Sequence, residues 1–336
     1  MQKALFYEVN SENNYIKCRL CPHDCVIKEN DVGFCRVRKN LKGDLISLVY
    51  GLHASVGVDP IEKKPLYHFY PGRDILSFGT LGCNMSCQFC QNWSISQADF
   101  DEKVLDSFSP EKAVRLAKEK SSIGIAYTYN EPLINYEWVL DTAKLAKKEG
   151  LKNVLITNGF INEVPLMELI PFIDAVNVDV KAFRNEFYKK FCSGDFDTVK
   201  RSVELFVEAK VHVELTTLLI TGENDSYNEI KQLVDWIASL SPYIPLHFSR
   251  YFPNYKFSRP QTQLDTLIKA YNLANNKLKY VFLGNVNLSE GSNTFCPECG
   301  EVLIERAGYS IKGSSLKYNR CGKCKAEFSS INIINK

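Results

Sequence analysis

The sequence predicts an α/β protein, a partial (βα)6 TIM-like barrel flanked by a small N-terminal cysteine-rich module and a C-terminal zinc-ribbon-like module. Three observations predict it. From about Arg73 to Val286, short β-rich runs alternate with helical stretches, as repeated crossovers onto a parallel sheet require. Residues able to do chemistry recur just after those runs, where the strand C-termini of a barrel face an active site. The twelve cysteines fall into groups of four, three and four, with Cys192 alone.

The expected strands are Ile75 to Phe78, Ile123 to Thr128, Asn153 to Thr157, Ala175 to Val180, Val211 to Leu219 and Pro245 to Tyr251, with Tyr280 to Leu283 as an extension. Helix signals fall between them. Ser109 before Pro110 reads as an N-cap with a first-turn proline, and Ser226 with Glu229 forms a capping box ahead of the apolar positions Ile230, Leu233, Val234 and Ile237. Gly150 closes the stretch from Tyr136 to Glu149. The expected modules are residues 1–70, 71–286 and 287–336.

At 336 residues and 45% hydrophobic, the chain can bury one large core and small appendages. Its 41 basic and 39 acidic residues leave a net charge of +2, which makes no electrostatic case for nucleic acid or a membrane surface. No run of about eighteen apolar residues is long enough to span a bilayer, and the opening MQKALFYEVNSENN lacks a secretion signal's apolar stretch. A cytoplasmic location is expected. In a reducing compartment, grouped cysteines read as metal ligands rather than disulfides.

The most specific string is GTLGCNMSCQFCQN, in which Cys83, Cys87 and Cys90 lie within eight residues. Three thiolates on one tight loop suit three corners of a [4Fe-4S] cluster, and the fourth iron keeps an open position. The amino and carboxylate groups of S-adenosylmethionine can chelate that iron, so that one electron cleaves the nearby sulfonium. Half a zinc site, or the buried face of a helix, is the alternative reading of these thiols.

Together with SLVYG near Leu48, YTYNEP at Tyr127 to Pro132, ITNG at Ile156 to Gly159, DVKAF at Asp179 to Phe183 and PLHFSRYFP at Pro245 to Pro253, the cluster loop resembles radical S-adenosylmethionine (radical SAM) enzymes of the pyruvate formate-lyase activating type. Within that group the strings resemble the radical enzyme of the AmmeMemoRadiSam system. The resemblance implies that Glu131, Asn158, Asp179 and Lys181 contact the cofactor, with Asp179 meeting its ammonium and Lys181 its carboxylate. Phe89 is placed against the adenine, with a packed core phenylalanine as the alternative, and His247, with Thr216, Thr217 and Arg250, is a further candidate for cofactor or substrate contact. Two departures stand out: Tyr129 and Asn130 occupy positions where related enzymes carry glycines, and Ile156 replaces an aspartate.

Cys296, Cys299, Cys321 and Cys324 form two knuckles separated by twenty-one residues, which reads as a zinc ribbon, with a second iron–sulfur cluster as the alternative. The spacing of Cys18, Cys21, Cys25 and Cys35 matches neither a common finger nor a ferredoxin run. A closed four-thiolate site is expected there, with zinc preferred over an iron–sulfur cluster and His23 an alternative ligand. Cys192 reads as a packed thiol, with a substrate-facing position as the alternative.

The expected activity is radical hydrogen abstraction from a protein or peptide-like substrate: activation of a backbone glycine, or a modification linked to a Memo-family partner. A low-potential electron donor is implied. Two other readings stay open. One is an RNA-modifying enzyme using Lys312, Lys317, Arg320, Lys323 and Lys325 as a platform, and the other is a non-catalytic iron–sulfur electron carrier.

Overall fold

Side chains along the strands that run through the middle of the chain are buried almost without interruption, the pattern of a parallel sheet covered on both faces. The computed structural model describes residues 2–10, 12–289 and 291–328. It shows an eight-stranded sheet whose spatial order follows the chain. The strands are β1 (Ser55–Pro60), β2 (Asp74–Gly79), β3 (Gly124–Tyr127), β4 (Lys152–Thr157), β5 (Ala175–Asp179), β6 (His212–Leu219), β7 (Leu246–Arg250) and β8 (Val281–Gly284). From β2 to β8 every neighbouring pair is parallel. Strand β8, expected only as an extension, is a seventh parallel strand. Its Val281, Phe282 and Leu283 are buried, so pairing with β7 completes the burial of an apolar run.

Strand β1 pairs antiparallel along the whole of β2, from Ser55 opposite Gly79 to Pro60 opposite Asp74. Residues before position 70 thus supply an edge of the main sheet.

Helices α1 (Pro110–Glu119), α2 (Tyr136–Lys148), α3 (Glu163–Leu169), α4 (Phe196–Glu208), α5 (Tyr227–Leu240) and α6 (Leu264–Asn275) lie in the connections. The Ser109 side chain accepts from the Lys112 amide and Pro110 opens α1, as the sequence predicts. The capping box of α5 is only half realised. Ser226 accepts from the Glu229 amide, but the Glu229 carboxylate turns away to the Phe183 amide and Arg184. A tertiary donor has displaced the local one.

The N-terminal segment builds two small antiparallel sheets, one with Gln2–Lys3, Arg38–Leu41 and Asp44–Ser47, the other with Tyr7–Val9, Ile16–Cys18 and Val26–Ile27. A buried ion pair between Arg38 and Glu137 of α2, at 2.9 Å, ties this segment to the main body. Leu5 closes the knot by donating its amide to Glu137 and accepting from Arg38 through its carbonyl. Breaking one partner of such a pair costs about 3–5 kcal/mol, because the other charge is left buried.

At the other end of the chain, Thr294–Phe295, Val302–Ala307 and Ser310–Ser314 form an antiparallel sheet. Its small core gathers Leu303, Ile304 and Phe328 around Cys296 and Cys321. Buried Arg306 donates to the Tyr67 carbonyl at 2.6 Å and to Thr294, and stacks over the Tyr67 ring. Tyr67 and His68 in turn donate their amides to Glu214, near the start of β6. The C-terminal cysteine module therefore docks where the parallel strands begin.

Candidate active site

The loop after β2 carries Cys83, Cys87 and Cys90 at the opposite end of the sheet, where the strands finish. Its conformation depends on Gly82, which has a φ of +88°. A Cβ there would lie 2.4 Å from the Cys35 carbonyl oxygen, so a side chain is excluded. The Met85 amide donates to Cys83 Sγ at 3.3 Å, and Ser96 Oγ stands 3.2 Å from Cys90 Sγ.

The middle of the loop is braced by a π-helical turn, Tyr188–Cys192. Ser86 donates its amide to the Cys192 carbonyl at 2.8 Å and Gln88 to the Phe191 carbonyl at 3.0 Å. Irregular turns of this kind recur at functional sites. Cys192 itself is fully buried, with its thiol against Cys87. It is a packed thiol, and the substrate-facing alternative is ruled out by that burial.

Glu131, Asn158, Asp179 and Lys181 converge on the same end. Glu131 is buried and accepts from Leu133 N at 3.0 Å, Thr157 Oγ1 at 2.8 Å and Asn158 N at 2.8 Å. Burial pushes its carboxyl up to about 7, against the three hydrogen bonds that favour the carboxylate. It ties the ends of β3 and β4 together, a joining role the sequence did not suggest. Asn158 reaches Asn84 Oδ1 at 2.9 Å and Cys83 Sγ at 3.8 Å through one amide nitrogen. A side chain placed by resemblance near the cofactor thus touches a ligand thiol.

Lys181 Nζ pairs with Asp179 at 2.8 Å. Burial works against the ammonium charge, but Asp179 and the thiols of Cys87 and Cys192 more than offset it and raise the pKa. Asp179 keeps about two-fifths of its side chain exposed, so the pair presents a carboxylate to an incoming ligand.

One placement differs from expectation, and one takes its alternative. His247 does not reach the loop: its Nε2 lies 2.7 Å from fully buried Glu214, which also engages His212 and the amides of Tyr67 and His68. His247 is the second residue of β7, so it belongs to the polar network where the strands begin. The ring of Phe89 is buried and packed near Phe187 and Phe257, which supports the loop from within the core. Among the lesser candidates, Thr216 donates to Asn177 and Arg250 to the Thr262 carbonyl.

The residues that depart from the glycine pattern have their own work. Asn130 accepts from the Thr80 amide at 3.0 Å and donates to the Gly82 carbonyl at 2.7 Å. Tyr129 adopts φ +71°, the region glycine favours. Its hydroxyl donates to Asp59 at 2.6 Å, and Lys64 lies over its ring. Sequence reasoning missed Asn130 as a support of the loop; its only signal was its place between a strand end and Glu131.

Which metal group the thiols fit follows from their spacing. Among the described residues, Cys296, Cys299, Cys321 and Cys324 are the one set whose ligand atoms gather tightly enough for a single ion, all within 4.8 Å of one another. The loop trio is more open, as a multi-iron cluster with one iron left free requires. The residues present fit that group. A cavity of about 400 Å³ among Phe69, Lys152, Asp174 and His212 lies at the strand beginnings, remote from these thiols.

Comparisons with known proteins agree with this chemistry. Residues 78–237 match the family model described as the radical SAM superfamily. The chain is 41% identical over 329 residues to "Uncharacterized protein MJ0808" of Methanocaldococcus jannaschii, covering 96% of this chain and 98% of that one. It is 24% identical over 175 residues to the pyruvate formate-lyase 1-activating enzyme of Escherichia coli, covering 51% of this chain and 70% of the enzyme. The structure of Streptococcus suis SuiB bound to S-adenosylmethionine shares the fold, with a TM-score of 0.51 at 14% identity over 68% of this chain and 53% of that one. The loop of three thiols, the polar groups gathered at the strand ends and these similarities lead to one conclusion: the chain belongs to the radical SAM superfamily and is a radical SAM enzyme.

Proposed function

We propose that the enzyme abstracts a hydrogen atom from a protein or peptide-like substrate. The observation that carries this reading is the convergence of Cys83, Cys87 and Cys90 with Asn158, Asp179 and Lys181 at the strand ends. Cys83, Cys87 and Cys90 would hold a [4Fe-4S] cluster, which would supply the single electron for reductive cleavage of S-adenosylmethionine to methionine and a 5′-deoxyadenosyl radical. The chain's own residues position the reactants. Asp179 offers a carboxylate to the ammonium of the cofactor and Lys181 an ammonium to its carboxylate, charge-assisted bonds of complementary sign. Asn158 and the Met85 amide donate to Cys83 Sγ, and Asn130 holds the start of the loop.

Similarity to an activating enzyme, whose name denotes action on another protein, supports a protein substrate, with glycyl-radical formation as one form of it. A Memo-family protein is a proposed partner, supported by the resemblance of the strings near Leu48 and at Tyr127 to Pro132, Ile156 to Gly159, Asp179 to Phe183 and Pro245 to Pro253. At the C-terminal site the reading is zinc: Cys296 and Cys324 lie 3.6 Å apart and Cys299 and Cys321 3.7 Å. A tetrahedron with Zn–S bonds of about 2.3 Å has edges of about 3.8 Å.

Anaerobically reconstituted enzyme, reduced in the presence of S-adenosylmethionine, should form 5′-deoxyadenosine. With deuterated partner protein the deuterium should appear in that product. Replacement of any of the three loop cysteines by alanine should abolish the reaction, and continued turnover would contradict the assignment.

A further inference from the structure

We propose that Cys18, Cys21, Cys25 and Cys35 hold a second [4Fe-4S] cluster, seated directly against the loop that carries the first. The loop thiols and the C-terminal thiols provide internal standards for the two kinds of site. Four sulfurs around one ion are drawn together, as in the C-terminal set. Four sulfurs around a cubane each bind a different iron and point outward, so they stand farther apart. Among the described residues, neither the N-terminal thiols nor the loop trio gather within 4.8 Å of one another as the C-terminal set does.

The backbone brings them together: the Cys18 amide donates to the Cys25 carbonyl at 3.0 Å and the Asp24 amide to the Cys21 carbonyl at 3.1 Å. Cys18 ends a strand, Cys21 and Cys25 lie on the turn that follows, and Cys35 comes from a separate loop. Cys18 and Cys35 are buried, whereas Cys21 and Cys25 are partly exposed. The Phe34 amide donates to Cys25 Sγ at 3.4 Å, and Arg38 of the Arg38–Glu137 pair lies on the strand that follows Cys35. Hydrogen bonds to sulfur and nearby charge are what stabilise an anionic cluster and set its potential. With four protein ligands such a cluster has no free iron. It exchanges single electrons and binds no substrate.

Two contacts fix its place. The Cys35 carbonyl fills the space left by the absent Gly82 side chain, one residue before Cys83. His23, between Cys21 and Cys25, has its Nε2 2.8 Å from the Asn84 carbonyl, one residue after Cys83. The His23 ring thereby ties the segment to the loop and stacks on Phe34.

The test uses the full chain with Cys83, Cys87 and Cys90 all replaced by alanine, reconstituted without oxygen from ferrous iron and sulfide. About four irons and four acid-labile sulfides per chain are expected, rising to about eight of each in the unaltered protein. Zinc in place of iron, with no labile sulfide in the triple variant, would overturn the proposal. A second variant, Cys21→Ser with Cys25→Ser at the partly exposed positions, should lose about four irons yet keep dithionite-driven cleavage of S-adenosylmethionine. Retention of about eight irons there would count equally against it. In the reduced unaltered protein, paramagnetic resonance should show two interacting spins, and two independent signals would refute the seating against the loop. None of these outcomes depends on the identity of the substrate.

Discussion

The Asn130 side chain spans the start of the cluster loop, accepting from the Thr80 amide and donating to the Gly82 carbonyl over 2.7 Å. Asn130 thus performs with a side chain what a glycine could not. Asn130→Ala leaves a donor and an acceptor without partners, a loss of about 1–3 kcal/mol for such a group when buried. The expected outcome is lower iron content after reconstitution and slower formation of 5′-deoxyadenosine, with the overall fold by circular dichroism unchanged. Full iron loading in this variant would show that the loop holds its shape unaided.

Glu131 binds three donors through two oxygens. In Glu131→Gln one oxygen becomes an amide nitrogen, which cannot accept from Asn158 N while the remaining oxygen serves Leu133 and Thr157. The variant should lose roughly 1–3 kcal/mol of stability. It should also displace Asn158 from Cys83, which would be seen as a changed cluster spectrum. Denaturant titration and absorption spectroscopy check both effects.

Lys181→Met removes the cation paired with Asp179 and leaves the methylene stem packed. Loss of one charge-assisted contact is worth about 1.5–3 kcal/mol, so the dissociation constant for S-adenosylmethionine should rise by roughly 10- to 100-fold. Equilibrium binding to the reconstituted protein measures it. An unchanged constant would remove Lys181 from the cofactor site.

His53 and His68 are buried, and burial holds each down to about 3. Both stay neutral in the fold while the unfolded chain takes up protons below about pH 6.5. Within that window the unfolded state binds more protons, so stability falls as pH drops from about 6.5 toward 3, by at most about 1.4 kcal/mol per unit for each histidine. Denaturation midpoints across that range, compared with a His53→Leu variant, should show a shallower acid limb in the variant. His53 suits this test because Phe78, Phe108 and Trp138 surround its ring.

The strands were legible in the sequence because parallel strands buried on both faces carry short apolar runs, as Ile125 to Tyr127 and Val154 to Ile156 do. The chemistry of the cluster loop was legible for a different reason: three thiols within eight residues need no tertiary information to be brought together. His247 shows where such reading stops. Its residue type and its strand were apparent, but its partner Glu214 lies thirty-three positions away on the neighbouring strand. The half-realised capping box fails likewise, since Phe183 and Arg184 compete for Glu229 from forty-six and forty-five positions away.

By itself the sequence determined the ligand types, their grouping and the alternation of strand and helix, because donor chemistry and hydrophobic period are local properties of the chain. Only the tertiary structure decided which sulfurs stand close enough for one ion, which turn braces the loop, and that Cys35 rests against Gly82. Those relationships join segments far apart along the chain. Their geometry is set by packing and by the need to satisfy buried polar groups, which no short stretch of residues contains.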